Sequence, residues 1–515
     1  MVASGVANVK KYLLSAVFFV ASANAYAGEY GSGPSVDSGV APVFSKILDG
    51  AEPGALTVAG ITAYGVIDYN LAWQTHGVPT SPSYYQGMEY QIAKNSQGPQ
   101  FAFTNNALQV STVGLRGNES LSDLTGNTPL GGWSAIWDLQ IGFNPAFGEI
   151  ADDLKALRQN NGVPLQLQTA NQDSNRAGQI FNGDAYGGFK NDVLGELRYG
   201  RNSTILWDAF SAYDPQKLSY SNSLLSSGTY GGGYGITEQS RWNNSLKYKD
   251  TIGPIRIAAQ YRFGSYGQGG DGVSAGAGID VPGIFKGLSI DGVWGAETDA
   301  IAASMLTSST AKKPALGSCQ SLGVSLFECT QLNIFNATVS NNDAWAAMAK
   351  YNFKQLGVDN VTLYGGYEHI DYSNPSSQLS SLTIIGDYQL NPTGINYDAY
   401  VTDRQLDVYW IAGDYKVTPK LTLVSAWYHA DQNSYVTTSL GSTKATPCTK
   451  PGQGTLAQSN CAGSLDWVSG LIDYQWTKRL DVYAGISFTE VHDGLSSGFT
   501  YTSTINPTLG SRFRF

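Results

Sequence analysis

ITAYGVIDYNLAWQ, residues 61–74, alternates with a period of two from end to end. Ile61, Ala63, Gly65, Ile67, Tyr69, Leu71 and Trp73 fall on one side, and Thr62, Asp68, Asn70 and Gln74 on the other. Successive side chains of an extended chain point to opposite faces, so this stretch is a strand with one apolar and one polar face. WSAIWDLQIGF (133–143) repeats the pattern, with Trp133, Ala135, Trp137, Leu139, Ile141 and Phe143 against Ser134, Asp138 and Gln140. IRIAAQYRF (255–263) sets Ile255, Ile257, Ala259, Tyr261 and Phe263 against Arg256, Gln260 and Arg262. In NPTLGSRFRF (506–515), Leu509, Ser511, Phe513 and Phe515 share one face while Gly510, Arg512 and Arg514 share the other.

Sixteen such segments are expected, near 61–74, 107–118, 132–145, 179–190, 193–202, 240–249, 254–265, 272–281, 286–298, 343–353, 360–371, 404–416, 420–430, 465–476, 479–490 and 507–515, of which 272–281 alternates least clearly. Short turns such as NDV, DTIGP, KVTPK and WTKR take turns with long polar segments near 75–106, 146–178, 203–239, 299–342, 372–403 and 431–464. Short connections at one end and long ones at the other are the habit of a bacterial outer-membrane barrel. Hydrocarbon supplies no hydrogen-bond partner, so a spanning chain is either helical or a closed barrel. Past its first residues the chain has no stretch near a transmembrane helix. The expected fold is therefore all-β, a transmembrane antiparallel β-barrel of sixteen strands over residues 61–515, with Tyr69, Trp73, Tyr248, Tyr261, Trp427 and Trp476 placed for aromatic girdles.

Composition agrees. The 515 residues include Gly 60, Tyr 31 and Trp 11 but only Cys 4 and Met 4, and 14% are charged, well under the roughly 25% of average soluble domains. A formal net charge of -10 offers no basic footprint for a phosphate backbone, which argues against nucleic acid as a partner. Lys10 and Lys11 precede the apolar run Tyr12 to Ala21, and small residues follow at Ala23, Ala25 and Ala27. That is the order of a secretory signal peptide, assigned to residues 1–27. Its removal takes away two lysines and no acids, moving the charge from -10 to -12. Residues 28–60 read as a Gly/Pro-bearing extension of no assigned role.

At AIWDLQIGFN (135–144), LRYGRN (197–202), RWNNSLKY (241–248), YQWTKRLDVYAG (474–485) and Phe515, the chain resembles the general diffusion porins of Gram-negative outer membranes, from about Ile61 onward. The resemblance implies a homotrimer of barrels in outer-membrane lipid and lipopolysaccharide, with a third loop folded into the lumen. It also implies a water-filled passage for ions and small hydrophilic solutes, no catalysis and no cofactor. Phe515 would be the terminal aromatic read by the outer-membrane assembly machinery. In that family an arginine wall faces acids of the third loop across the constriction. Arg201 and Arg241 match wall positions, and Asp208 and Asp214 fall in the loop. By parity Lys247, Arg256 and Arg262 also face inward. Thr229 stands in Gly228–Gly232 where the family often carries an acid, Thr112 where an arginine is common and Val66 where a lysine is common. Both walls carry less charge than the family pattern, so the resemblance does not fix ion selectivity.

Other chemistry finds little support. GTYGGGYG (228–235) is followed by no Lys-Ser/Thr and opens no helix, so it is a bend rather than a phosphate loop. His76, His369, His429 and His492 lack metal spacing and read as solvated surface residues. No Ser, His and acid set is convincing for hydrolysis. A rival reading is a substrate-specific channel for sugars or carboxylates, lined by aromatics or one sign of charge. An enzyme built on a barrel and a soluble β-helix adhesin are further alternatives, the last without any fixed short repeat. The cysteines, Cys319, Cys329, Cys448 and Cys461, form two close pairs in two long segments. In an exported chain an even count suggests disulfides, and four cysteines allow three connectivities. Pairing Cys319 with Cys329 and Cys448 with Cys461 closes a short loop within each segment, without tying separate loops together.

Overall fold

The computed structural model describes residues 56–58, 60–77, 90–93, 96–125, 132–146, 148–150, 180–235, 241–264, 270–302, 337–376, 384–385, 388–389, 395–397, 400–437, 460–497 and 499–515. The expected signal segment, most of the 28–60 extension and Cys319, Cys329 and Cys448 lie outside the described residues. The main sheet has 20 strands, of which four are short accessory pieces at Thr57–Val58, Gln100–Asn105, Glu149–Ile150 and Ile395–Tyr397. The other sixteen form the wall. They are β1 Ile61–Gln74, β2 Ser111–Ser120, β3 Trp133–Asn144, β4 Ala185–Asn191, β5 Gly195–Ser203, β6 Arg241–Ile252, β7 Ile255–Arg262 and β8 Gly272–Asp280. These continue as β9 Leu288–Ala302, β10 Ala337–Asn352, β11 Val361–Ser373, β12 Arg404–Lys416, β13 Leu421–Gln432, β14 Gly463–Gln475, β15 Leu480–Asp493 and β16 Ser503–Arg514.

Each strand pairs antiparallel with the next, and β16 returns to β1 from Val66↔Arg514 to Ala72↔Thr508. The ring is closed, as the alternation predicts. Phe515 and Gly65 exchange two backbone hydrogen bonds, each 3.0 Å, at the seam. A Cβ on Gly65 would run into the Phe515 ring, so this strand-interior glycine makes room for the aromatic.

All sixteen expected segments are strands, including 272–281, and the boundary differences have local causes. The second strand starts at Ser111 rather than 107, because the backbone N–H groups of Leu108 and Gln109 donate to buried Asp68 Oδ2 at 2.8 and 3.0 Å instead of to a ladder. The fourth starts at Ala185 rather than 179, since the Asn182 side chain stands in for a strand peptide on Gly142, accepting at 2.5 Å and donating at 3.0 Å. The last begins at Ser503, upstream of Pro507, which has no N–H to give and yet pairs with Ile486.

The apolar face is the outer one. Leu115, Tyr199, Trp294, Ile411 and Leu509 are exposed, whereas Asp68, Asn70, Ser487, Thr489, Asn506 and Thr508 on the opposite parity are buried. Two of the four histidines depart from the expectation of scattered solvated residues. His369 lies between Asp407 at 2.7 Å and Asp371 at 3.1 Å, and His429 between Asp466 at 2.8 Å and Asp431 at 3.1 Å, all on the outer parity of β11 to β14. The alternation does not show which acid stands opposite which histidine; only the register does.

Ile411 is mid-strand on the outer face and Gln405 is near the loop end of the same face. Ile411→Arg should destabilise the barrel by roughly 2–4 kcal/mol and Gln405→Arg by about 0–1 kcal/mol. Urea unfolding from bilayers checks the order, and equal costs would refute the assigned facing.

Candidate functional site

The segment following β5 is organised by a capped helix, α1, Ile205–Tyr213. Thr204 is the cap: its hydroxyl accepts from Trp207 N–H at 3.1 Å and donates to the Gly232 carbonyl at 2.9 Å. Asp208 lies in the first turn, where the helix dipole favours a carboxylate. Ile205, Leu206, Phe210 and Tyr213 of α1 are buried with Leu224, Leu225, Tyr230 and Tyr234 further along, against Ala344, Ala346 and Met348 of β10, Val408 and Trp410 of β12, Tyr428 of β13 and Trp467 of β14. Phe210 meets the Trp410 ring edge-on at 5.2 Å. A Cβ on Gly231 would meet the Leu225 carbonyl, so the glycine run serves close chain approach, as a bend should.

Polar contacts join this segment to the same side of the ring. Tyr428 Oη donates to Asp214 at 2.7 Å, Gln216 Nε2 to Ser469 Oγ at 3.1 Å, Asn342 Nδ2 to the Tyr234 carbonyl at 3.1 Å and Lys350 Nζ to the Ala212 carbonyl at 3.0 Å. The inner parity of β10 to β14 is thus largely apolar and covered, while that of β15, β16 and β1 to β3 stays polar.

The residues singled out from sequence divide between anchoring and lining. Lys247 is buried, its Nζ donating to Asp208 Oδ2 at 2.6 Å and to the Ser203 carbonyl at 2.9 Å. Burial would raise the Asp208 pKa, but the Lys247 ammonium and the Ser203 hydroxyl outweigh it and hold this carboxyl below its usual range. Asp214 is fully buried and accepts from Tyr428, from Ser223 Oγ at 2.6 Å and from the N–H groups of Gln216 and Leu218. Burial pushes its pKa up against those donors. Arg262 pairs with Glu297 at 3.2 Å, and Glu297 also accepts from Trp242 Nε1 at 2.8 Å. Arg256 bridges Asp280 and Asp291 at 2.6 and 2.8 Å. Arg201 shares its parity with exposed Leu197 and Tyr199, but a bulge against β6 re-aims it, and its guanidinium donates to the carbonyls of Asn182 and Gly183. Thr229 is fully buried within the segment.

Arg241 pairs with Asp184 at 2.7 Å and lines a cavity of about 270 Å³ between the 204–235 segment and the polar wall. Gln109, Thr112, Gln140, Asn182 and Arg512 come from the wall side, and Trp207, Ser211, Lys217 and Tyr220 from the segment. A second cavity, about 540 Å³ at the short-turn end, is lined by Asp208, Arg256, Lys190 and Lys249 among others. Lys217 and Arg512 were not among the expected site residues. Arg512 was legible as polar-face in the last strand; Lys217 lies in a stretch without periodicity. Cys461 is buried and disulfide-bonded. Among the described residues no cluster of His, Cys, Asp and Glu could hold a metal ion.

A closed antiparallel ring with an apolar exterior and a polar inner wall is a transmembrane β-barrel. A family model described as Gram-negative porin matches residues 14–494. The chain belongs to the Gram-negative porin family, and its place is the outer membrane. An outer membrane porin protein of Bordetella pertussis is 21% identical over 231 residues, 45% of this chain and 49% of that protein, so the chain spans about half the length of this curated relative. The solved anion-selective porin from Comamonas acidovorans is 14% identical, with a TM-score of 0.52 over 88% of this chain and 99% of that one. OmpT of Vibrio cholerae is 12% identical, with a TM-score of 0.48 over 88% of this chain and 97% of that one.

Asp214→Ala would leave two backbone N–H groups and two hydroxyls without their acceptor, at about 1–3 kcal/mol for each buried donor left unsatisfied. Hydrogen exchange at Gln216 and Leu218 should accelerate at least tenfold while β12 to β14 remain protected. Unchanged exchange would show that Asp214 does not hold the segment.

Proposed function

We propose that the protein is a passive outer-membrane channel for ions and small hydrophilic solutes, narrowed by residues 204–235 folded into the lumen. The carrying observation is the roughly 270 Å³ gap between the polar wall and that segment. Support also comes from the docking of most of the segment's apolar side chains on β10 to β14, which leaves polar Gln109, Thr112 and Gln140 lining the gap on the wall side. A ring of this many strands is wide enough for an aqueous channel. The assembly is a homotrimer, with outer-membrane lipid and lipopolysaccharide against the remaining apolar exterior. Planar-bilayer recording of the purified protein should give stepwise, non-saturating conductance with the three-step pattern of a trimer. Saturable block by a single sugar or carboxylate would favour the substrate-specific reading instead.

We also assign the disulfides Cys319–Cys329 and Cys448–Cys461. Each closes a short loop, worth roughly 3 kcal/mol in the entropic account of cross-linking, and stiffens a loop tip against proteases. Non-reducing peptide mapping should recover these two linked pairs; a peptide joining Cys329 to Cys461 would overturn the assignment.

A further inference from the structure

The charges around the smaller cavity are unequal in kind. Lys217, Arg241 and Arg512 line it, and no carboxylate does among the described residues. Arg241 is backed by Asp184 at 2.7 Å, and Arg512 by Asp481 at 2.8 Å and Asp473 at 3.3 Å. Lys217 is exposed and forms no ion pair among the described residues; its Nζ donates only to the Ser211 carbonyl, at 3.4 Å. The two acids of the segment that could have neutralised it are engaged elsewhere, Asp208 with Lys247 and Asp214 with Tyr428, Ser223 and the backbone.

The backbone aims this lysine deliberately. Lys217 and Leu218 both adopt positive φ, 55° and 56°, a conformation costing roughly 1–2 kcal/mol per residue for side chains other than glycine. Asp214 holds the turn: its carbonyl accepts from Lys217 N–H at 3.0 Å and its carboxyl from Leu218 N–H at 2.9 Å. Leu218 is thereby buried, and the neighbouring lysine side chain is left at the cavity. A strained turn kept at such a place is the pattern of a functional position.

We propose that Lys217 is the specificity-determining residue of the passage and makes it prefer anions, inorganic and small carboxylate anions alike. This rests on the channel reading above. The two arginines supply donors whose charge is matched by the acids behind them, and the unmatched positive charge is that of Lys217. Asp214 is a positioning residue for it. The loop acids therefore do not oppose a cationic wall across the water; the segment adds a cation to that wall.

The test is the reversal potential of the full-length protein in a KCl gradient, with potassium acetate as a second salt, for wild type and for Lys217→Arg, Lys217→Gln and Lys217→Glu. Wild type and Lys217→Arg should pass anions in preference to potassium in both salts. Lys217→Gln should lower the anion-to-cation permeability ratio, and Lys217→Glu should lower it roughly tenfold, as expected for reversing a charge a few ångströms from the path after screening. The differences should shrink between 0.1 and 1 M salt, where the screening length falls from about 10 to 3 Å, a dependence that a packing role would not produce. Open channels with an unchanged ratio in Lys217→Glu, or a cation-preferring wild type, would overturn the inference while leaving the channel reading intact. Wild type without conductance would overturn both.

Discussion

Hydrocarbon leaves no backbone N–H or C=O to be satisfied by solvent, and the rest of this molecule follows from meeting that condition with strands. The seam carries the burden. β1 is divided along its length, pairing below with β2 and above with Gln100–Asn105, while its other edge takes β16. Where the partner changes, Asp68 accepts from Leu108, Gln109 and Tyr483 Oη, the last at 2.5 Å. A buried carboxylate surrounded by donors does there what a ladder would otherwise do. Gly65 and Phe515 then complete the ring by backbone bonds alone.

Closure with this many strands encloses more space than wall side chains can fill. The chain meets the problem asymmetrically. On β10 to β14 it turns apolar and small residues inward and docks 204–235 on them; on β15, β16 and β1 to β3 it keeps amides and hydroxyls inward. Ion pairs fasten the arrangement. Lys247 with Asp208 and Arg262 with Glu297 put charges in a poorly hydrated interior, where an unpaired ion would be far more costly than a paired one, and the more exposed Arg256 is held by Asp280 and Asp291. Most inward charge is therefore structural, and its count along the sequence says little about the field in the channel.

This explains what could be read from the sequence and what could not. Period-two alternation placed every wall strand, because only a residue's own parity decides whether it meets lipid. Parity also placed Lys247, Arg256 and Arg262 inward. It could not say that they would be consumed by partners 24 to 39 residues away, since that depends on register and on where α1 lands. Arg201 shows the limit sharply: one bulge overrides its parity. Lys217 sits in a turn whose geometry is set by Asp214 and by a tyrosine on β13. Neither contact leaves a local trace.

The outer face carries one more consequence of register. Along β12 and just past its end, the parity that meets lipid runs from Asp407 through Tyr409, Ile411 and Tyr415 to exposed Val417, a span of ten steps. At about 3.3 Å per residue that is roughly 33 Å of strand. Tilted about 40°, it stands roughly 25 Å tall, the height of the apolar band of an outer-membrane barrel. Asp407, His369, Asp431 and His492 lie in one row across neighbouring strands, with His429, Asp466 and Glu490 in the next. Those two rows would be prohibitive at mid-bilayer, and they fall at the loop-side end of the apolar height. Trp427 supports this placement by turning its Nε1 to Asp466 at 3.2 Å while its ring stacks on His429, the half-wet, half-apolar setting an interfacial tryptophan requires. The paired histidines and acids thus set the upper edge of the band from which lipid is in contact with the wall, and the short turns set the lower one.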